Sequence, residues 1–185
     1  MSLNNWLVIA TGPSVRKYEN EIRSFSGGMT TIGVHHMAGR FVPDYHLFVS
    51  KKRYKKYGKY VSPQSTLVLT RGVGGEFEVE NEYPSSIGRM EIDGGMVRCS
   101  GASGGVLAIA YAIINGADTV FVSGLDGYST GAGHHYSEKN NSWERLMEHE
   151  SATRSILQDL NGMVPVKIIT PTVYEEYYAG FADIV

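Results

Sequence analysis

Six short apolar runs punctuate the chain: Trp6–Ala10, Thr30–Val34, Tyr45–Val49, Thr66–Thr70, Thr119–Gly124 and Val166–Thr170. Each is rich in β-branched or aromatic residues and gives way to polar or glycine-rich sequence, which is the pattern of strands covered on both faces. Between them the hydrophobic spacing changes to that of helices. Val15, Tyr18, Ile22 and Phe25 recur along one helical face, Val106 to Ile114 is apolar nearly all round, and Trp143, Leu146, Met147, Ile156, Leu157 and Leu160 share one stripe. Ser14 is the predicted N-cap of the first helix, Asn115-Gly116 the left-handed C-cap of the second, and Asn141 with Glu144 a capping box for the third. Residues 71–99 carry apolar side chains without a sustained period and read as an irregular segment with short strands, while the tail from Tyr174 to Tyr178 reads as a short helix. Strands alternating with helices predict an α/β protein. The expected architecture is one Rossmann-like domain over residues 1–185, doubly wound, with a mostly parallel sheet and helices on both faces.

Composition narrows the picture. A net charge of -2 over 185 residues gives no global pull towards nucleic acid or an anionic membrane. One cysteine, Cys99, excludes an internal disulfide framework and a Cys-rich zinc site. No apolar run approaches the roughly 20 residues of a membrane span, and the amino terminus lacks a signal-peptide pattern, so a cytoplasmic location without a transmembrane segment is the expectation. The segment Lys51 to Lys59 holds six of the seventeen basic residues, interleaved with Tyr54 and Tyr57. A solvated charged face is its simplest reading, and stacking on a base or sugar at the rim of a site is the other. A nucleic-acid partner would need a wider basic footprint, and none is expected.

Candidate chemistry concentrates where apolar runs end. In open α/β sheets ligands sit outside the carboxyl ends of the strands. After the first strand comes Thr11-Gly12-Pro13-Ser14, where Gly12 lets the backbone approach a ligand at a helix's positive end, and the backbone amides of Gly12 to Ser14, with those of Ser103 to Gly105, are expected to hold phosphate. Ser100-Gly101-Ala102-Ser103-Gly104-Gly105 precedes the apolar helix, so its glycines serve close helix-strand packing, an anion, or both. After the fifth strand come Leu125-Asp126-Gly127-Tyr128 and then His134-His135-Tyr136. Asp126 contacts a ligand or caps the next turn. His134 and His135 form a solvated pair or, with Asp126 and His149, part of a cation site; no His-x-x-x-His spacing supports the latter, and no metal ligand is assigned. His149 falls beside the apolar stripe of its helix and is a surface residue or a general base, a task that suits imidazole.

Taken together, Thr11-Gly12-Pro13-Ser14, Ser103-Gly104-Gly105 and Ser123-Gly124-Leu125-Asp126-Gly127-Tyr128 with its following histidines resemble a known superfamily, over roughly half the chain. It contains the bacterial CMP-sialic-acid-dependent sialyltransferases of glycosyltransferase family 42 and the 6-hydroxymethylpterin diphosphokinase-like proteins, motility-associated factors among them. In the sialyltransferases a histidine near the start of a late helix is the general base, and His149-Glu150-Ser151-Ala152-Thr153 is similar to that stretch. Tyrosines after the Gly-Ile/Leu-Asp strand end bind the leaving phosphate; Tyr128 matches one, and His134 or Tyr136 stands for the other. Asparagines that contact the nucleotide in that family are replaced here by Thr11, His35 and Ser50. The resemblance implies a nucleotide-dependent transferase, foremost a glycosyltransferase that passes a sugar from a nucleotide sugar to a hydroxyl acceptor without a cofactor. The diphosphokinase side of the superfamily implies diphosphate transfer from ATP with Mg²⁺, to which Gly124, Asp126 and His134 or His135 are equally similar. A nucleotide-binding module without catalysis is the third reading. All three leave homo-oligomers open.

Overall fold

The computed structural model describes residues 3–128 and 143–182, and in the last helix the side chains from Leu146 onward. In chain order the strands are β1 (Asn5–Ile9), β2 (Thr30–Val34), β3 (Tyr45–Phe48), β4 (Thr66–Leu69), β5 (Val79–Asn81), β6 (Met90–Asp93), β7 (Met96–Cys99), β8 (Thr119–Ser123) and β9 (Val166–Ile168). The helices are α1 (Ser14–Lys17), α2 (Glu19–Phe25), α3 (Lys51–Tyr57), α4 (Gly104–Ile114) and α5 (Trp143–Met163). Six strands form one all-parallel sheet in the order β4-β3-β2-β1-β8-β9. The chain steps outward from β1 to β4 and then returns to the far side of β1 with β8. That reversal is a topological switch point, and it opens a crevice at the carboxyl ends of β1 and β8. The fold is therefore α/β and Rossmann-like.

Alternation along the strands supplies both faces. Trp6, Val8, Ala10, Val120 and Val122 point into one core with Ile109 of α4 and Ile156, Leu157 and Leu160 of α5. Leu7, Ile9 and Phe121 point into the other, with Val15 and Ile22 from α1 and α2. Each such buried aliphatic side chain contributes about 1.5–3 kcal/mol relative to exposure. α4 is buried on every side but one narrow strip because alanines at 108, 110 and 112 let it settle on the sheet.

Three expectations change. The first helix is broken at Tyr18, whose φ of -112° and ψ of 27° interrupt the spiral between α1 and α2. Pro13, not Ser14, occupies the N-cap position, and Ser14 is the first helical residue with its side chain bonded elsewhere. Residues 71–99 are more ordered than their pattern suggests. They hold a second sheet, β5-β7-β6, in which β6 and β7 form an antiparallel hairpin turned by Gly94 and Gly95 at φ 56° and 89°. Two consecutive positive φ values give the two-residue turn whose twist matches the strands. Met90, Val97 and Cys99 from this sheet join the core under α4 and α5. The capping box at Asn141 lies outside the described residues. Among the described residues no helix is long and apolar enough to cross a membrane.

Candidate functional site

The turns that follow β1, β2, β3 and β8 converge with the start of α4 around a cleft of about 350 Å³. Thr11, Gly12, Pro13, His35, Ser50, Ser103, Gly104, Gly105, Asp126 and Tyr128 all line it. The lateral strand order brings them together, since β2 and β3 flank β1 on one side and β8 on the other.

The first turn gives the cleft its shape but not its amides. Gly12 N–H donates to the Gly124 carbonyl at 2.8 Å, Pro13 has no N–H, and Ser14 N–H donates to Asp126 Oδ2 at 2.8 Å. The amide cradle expected at Gly12 to Ser14 is thus already filled by a carbonyl and a carboxylate of the same chain. Ser14 Oγ–H donates to Asp126 Oδ1, with Thr170 Oγ1 at 3.0 Å, and the Gly124 N–H donates to that threonine oxygen. Ser14 is consequently tied into the fold and does not line the cleft. A Cβ on Gly12 would sit 2.5 Å from both Asp126 Oδ1 and the Gly124 carbonyl oxygen, so no side chain fits there. Burial raises the Asp126 carboxyl above its ordinary value, against the opposing pull of the two Ser14 hydrogen bonds. Asp126 serves as the anion at the first turn, the place its sequence position offered to a phosphate.

The second glycine loop differs. Ser103 stands at the N-cap of α4 without a side-chain cap, the bond from Leu107 N–H to the Ser103 carbonyl opens the helix, and the Gly104 and Gly105 amides take no acceptor among the described residues. These donors and the helix dipole face the cleft. The glycines also serve packing: a Cβ at 104 would lie 2.8 Å from His35 Nε2 and Val34 Cγ1, and one at 105 would lie 3.0 Å from the Ala10 Cβ. Valine at Gly104 would therefore disturb the seat of α4 on β2 before it touched any ligand.

His35 has a φ of 51°, in the left-handed region that bulky residues avoid, and is 2% exposed. His46 holds it there, because His46 Nε2–H donates to the His35 carbonyl at 2.9 Å; a carbonyl only accepts, which fixes the tautomer. Burial first, then the charge of Arg53 and the neighbouring His36 and His46, lower the His35 pKa to about 3. A neutral imidazole thus packs against the α4 N-terminus and lines the cleft.

Arg53, Thr153 and Tyr174 also line the cleft, and none of them was given a role of its own from sequence. Arg53 had a signal: it follows the strand-end residue Ser50 by three positions at the start of a helix, which puts both on the inward face. Tyr174 and Thr153 had none, because only the pairing of β9 with β8 and the docking of α5 bring them in. Tyr128 stays a phenol, its pKa raised by burial, lowered by the Arg53 charge and raised by Glu150, while its N–H donates to Glu150 Oε2 at 2.9 Å. Burial likewise pushes the Tyr174 hydroxyl up, against a hydrogen bond with Thr153. His149 lines a second cavity of about 150 Å³ that shares Ala102, Ser103, Tyr128 and Thr153 with the cleft, and its ring centroid is 6.2 Å from that of Tyr128. His134 and Tyr136 lie outside the described residues. Among the described residues no three His, Cys, Asp or Glu side chains converge on a metal position, and Asp126, the carboxylate in the cleft lining, has both oxygens on Ser14. Among known proteins, no family model, curated protein or solved structure matches this chain.

Proposed function

We propose that the chain is a nucleotide-dependent transferase, a glycosyltransferase of the sialyltransferase-like type that uses a nucleotide-sugar donor and a hydroxyl acceptor. One observation carries the reading. Arg53, Tyr128 and the open Gly104 and Gly105 amides line one cleft, and His149 lines an adjoining cavity that Tyr128 also borders. The first group neutralises a departing phosphate; the second is placed to serve an acceptor. His149 takes the proton of the acceptor hydroxyl as its oxygen bonds to the anomeric carbon. The bond from that carbon to the phosphate oxygen breaks, and its electron pair leaves with the nucleotide. Donors preorganised at the leaving group supply most of such a rate gain, and a general base typically adds about 10²- to 10⁴-fold. Arg53 and the helix amides do for the phosphate what a divalent cation would otherwise do, so no step is routed through a metal.

The test begins with thermal shifts for CMP, CDP, UDP, GDP and ATP, with and without Mg²⁺; a ligand at one hundred times its Kd adds about 2.7 kcal/mol. Arg53→Gln is expected to weaken the best nucleotide by roughly 10- to 100-fold, the worth of a charged hydrogen bond to phosphate. His149→Ala is expected to leave nucleotide affinity unchanged and lower transfer by about two or more orders of magnitude. Nucleotide binding with no transfer under any donor would leave a binding module. Stabilisation by ATP only with Mg²⁺ would point to diphosphate transfer, and no response to any nucleotide would end all three readings.

A further inference from the structure

The net charge of -2 conceals a sharp segregation. Lys51, Lys52, Arg53, Lys55, Lys56 and Lys59 fall within nine residues that contain no acid, which leaves eleven basic against nineteen acidic residues elsewhere. α3 sorts this segment into two faces. Arg53, Tyr54, Tyr57 and Gly58 turn inward, with Tyr54 against Phe48 and Tyr57 against His36, while Lys51, Lys52, Lys55, Lys56 and Lys59 are exposed. Among the described residues no carboxylate forms an ion pair with any of these five lysines; the ion pairs all belong to arginines. Tyr60, at the end of the segment, is 54% exposed and lies close enough to Gly39 that a Cβ there would stand 3.4 Å from its own, and Val42 in the same loop as Gly39 is 62% exposed. Tyr60 and Val42 thus both stand in water, and Lys59 Nζ lies 4.9 Å from the centroid of the Tyr60 ring. Arg53, on the opposite face of the same helix, lines the cleft.

We propose that α3 and the Gly39–Val42 loop form a docking surface for an anionic lipid bilayer, on the face of α3 turned away from the cleft. Clusters of four to eight basic residues bind acidic lipids, at about one tenfold step for each one or two charges. An exposed tyrosine and an aliphatic neighbour add apolar burial at the headgroup level. The shape of the patch argues for a lipid plane over a nucleic acid. Its length is roughly 12 Å at 1.5 Å per residue, too short to follow a strand of phosphates, and the rest of the chain carries more acidic than basic residues. A bilayer presents all its headgroup charges in one plane, so a short, outward-facing cluster is enough. The exposed charges are lysines, point charges suited to a fluid array, where bidentate reading of a fixed phosphate would favour arginine.

Vesicle flotation of the full chain without nucleotide tests this apart from the transferase reading, which it neither uses nor needs. The chain is expected to float with phosphatidylcholine vesicles holding about 30% phosphatidylglycerol but not with phosphatidylcholine alone, and to be released as salt rises from roughly 0.05 to 0.5 M. Replacing Lys51, Lys52, Lys55 and Lys56 together by Gln is expected to weaken binding by about 10³-fold with an unchanged melting temperature. Tyr60→Ser is expected to weaken it by roughly 10-fold in a salt-independent way. Absence of flotation at low salt, retention by the four-lysine variant, or tighter salt-sensitive binding of a short oligonucleotide than of the acidic vesicles would overturn the proposal.

Discussion

Asp126 accepts two hydrogen bonds from a residue 112 positions away, the Ser14 N–H and Ser14 Oγ–H, at a site only 7% exposed. The carboxylate therefore clamps the turn after β1 to the turn after β8, and the excluded Cβ at Gly12 records how closely the two approach. Asp126→Ala would strand the buried Ser14 N–H and leave the Ser14 hydroxyl to Thr170 Oγ1 alone, so a loss of about 1–3 kcal/mol in urea denaturation is expected. Asp126→Asn keeps one acceptor and should lose about half as much. From sequence, Asp126 had two readings, ligand contact or cap. Its observed partner fits neither in full, because the cap it supplies belongs to a helix at the other end of the chain.

Among the elements, α4 shows how far local chemistry reaches. Its carboxyl end is closed by Gly116 N–H to the Ile113 carbonyl and Ala117 N–H to the Ala112 carbonyl, with Gly116 at φ 79°. This is the double bond pattern that a left-handed glycine after a helix makes, as Asn115-Gly116 predicted. Gly116→Ala is expected to lower stability by about 1–2 kcal/mol in urea denaturation, the cost of a side chain in the left-handed region. The amino end of α4 was legible as a glycine loop, but its open amides were not separable from those of the first turn on sequence alone. The two loops look alike as strings. They differ because Asp126 and Gly124 fill the first, while nothing in the described chain fills the second. The hairpin at Gly94-Gly95 had a readable signal in its paired glycines, whereas β5 had none, since it pairs in parallel with β7, each residue with one eighteen positions on.

For the whole molecule, two buried histidines couple stability to pH. His35 is lowered to about 3, chiefly by burial, and His46 is lowered by burial against the opposing hydrogen bond to the His35 carbonyl. Above the ordinary histidine value of 6.5 both rings are neutral in folded and unfolded chains alike, and they contribute no pH dependence. Below it the unfolded chain takes up protons that the folded chain refuses, so stability falls with pH, by up to about 1.4 kcal/mol per unit for each ring between pH 6.5 and the folded value. Asp126, raised, acts in the opposite sense and only in the acid range of carboxylates. Urea denaturation at pH 7.5, 6 and 5 is expected to show a steady loss, and His35→Asn, which tolerates a positive φ, is expected to flatten it. An unchanged slope in that variant would remove His35 as the source. The sequence by itself determined where the six strands of the main sheet and the helices α4 and α5 lie, the glycine stop after α4, and that polar residues would collect at the carboxyl ends of a parallel sheet, because spacing and backbone sterics act over a few residues. Only the tertiary structure decided that β8 would lie beside β1, that Asp126 would be bound by Ser14, and that Arg53, Thr153 and Tyr174 would meet at one cleft with His149 next door. Those outcomes follow from the lateral order of strands and the side on which each helix packs, which depend on burying the whole chain at once and are written in no short stretch of it.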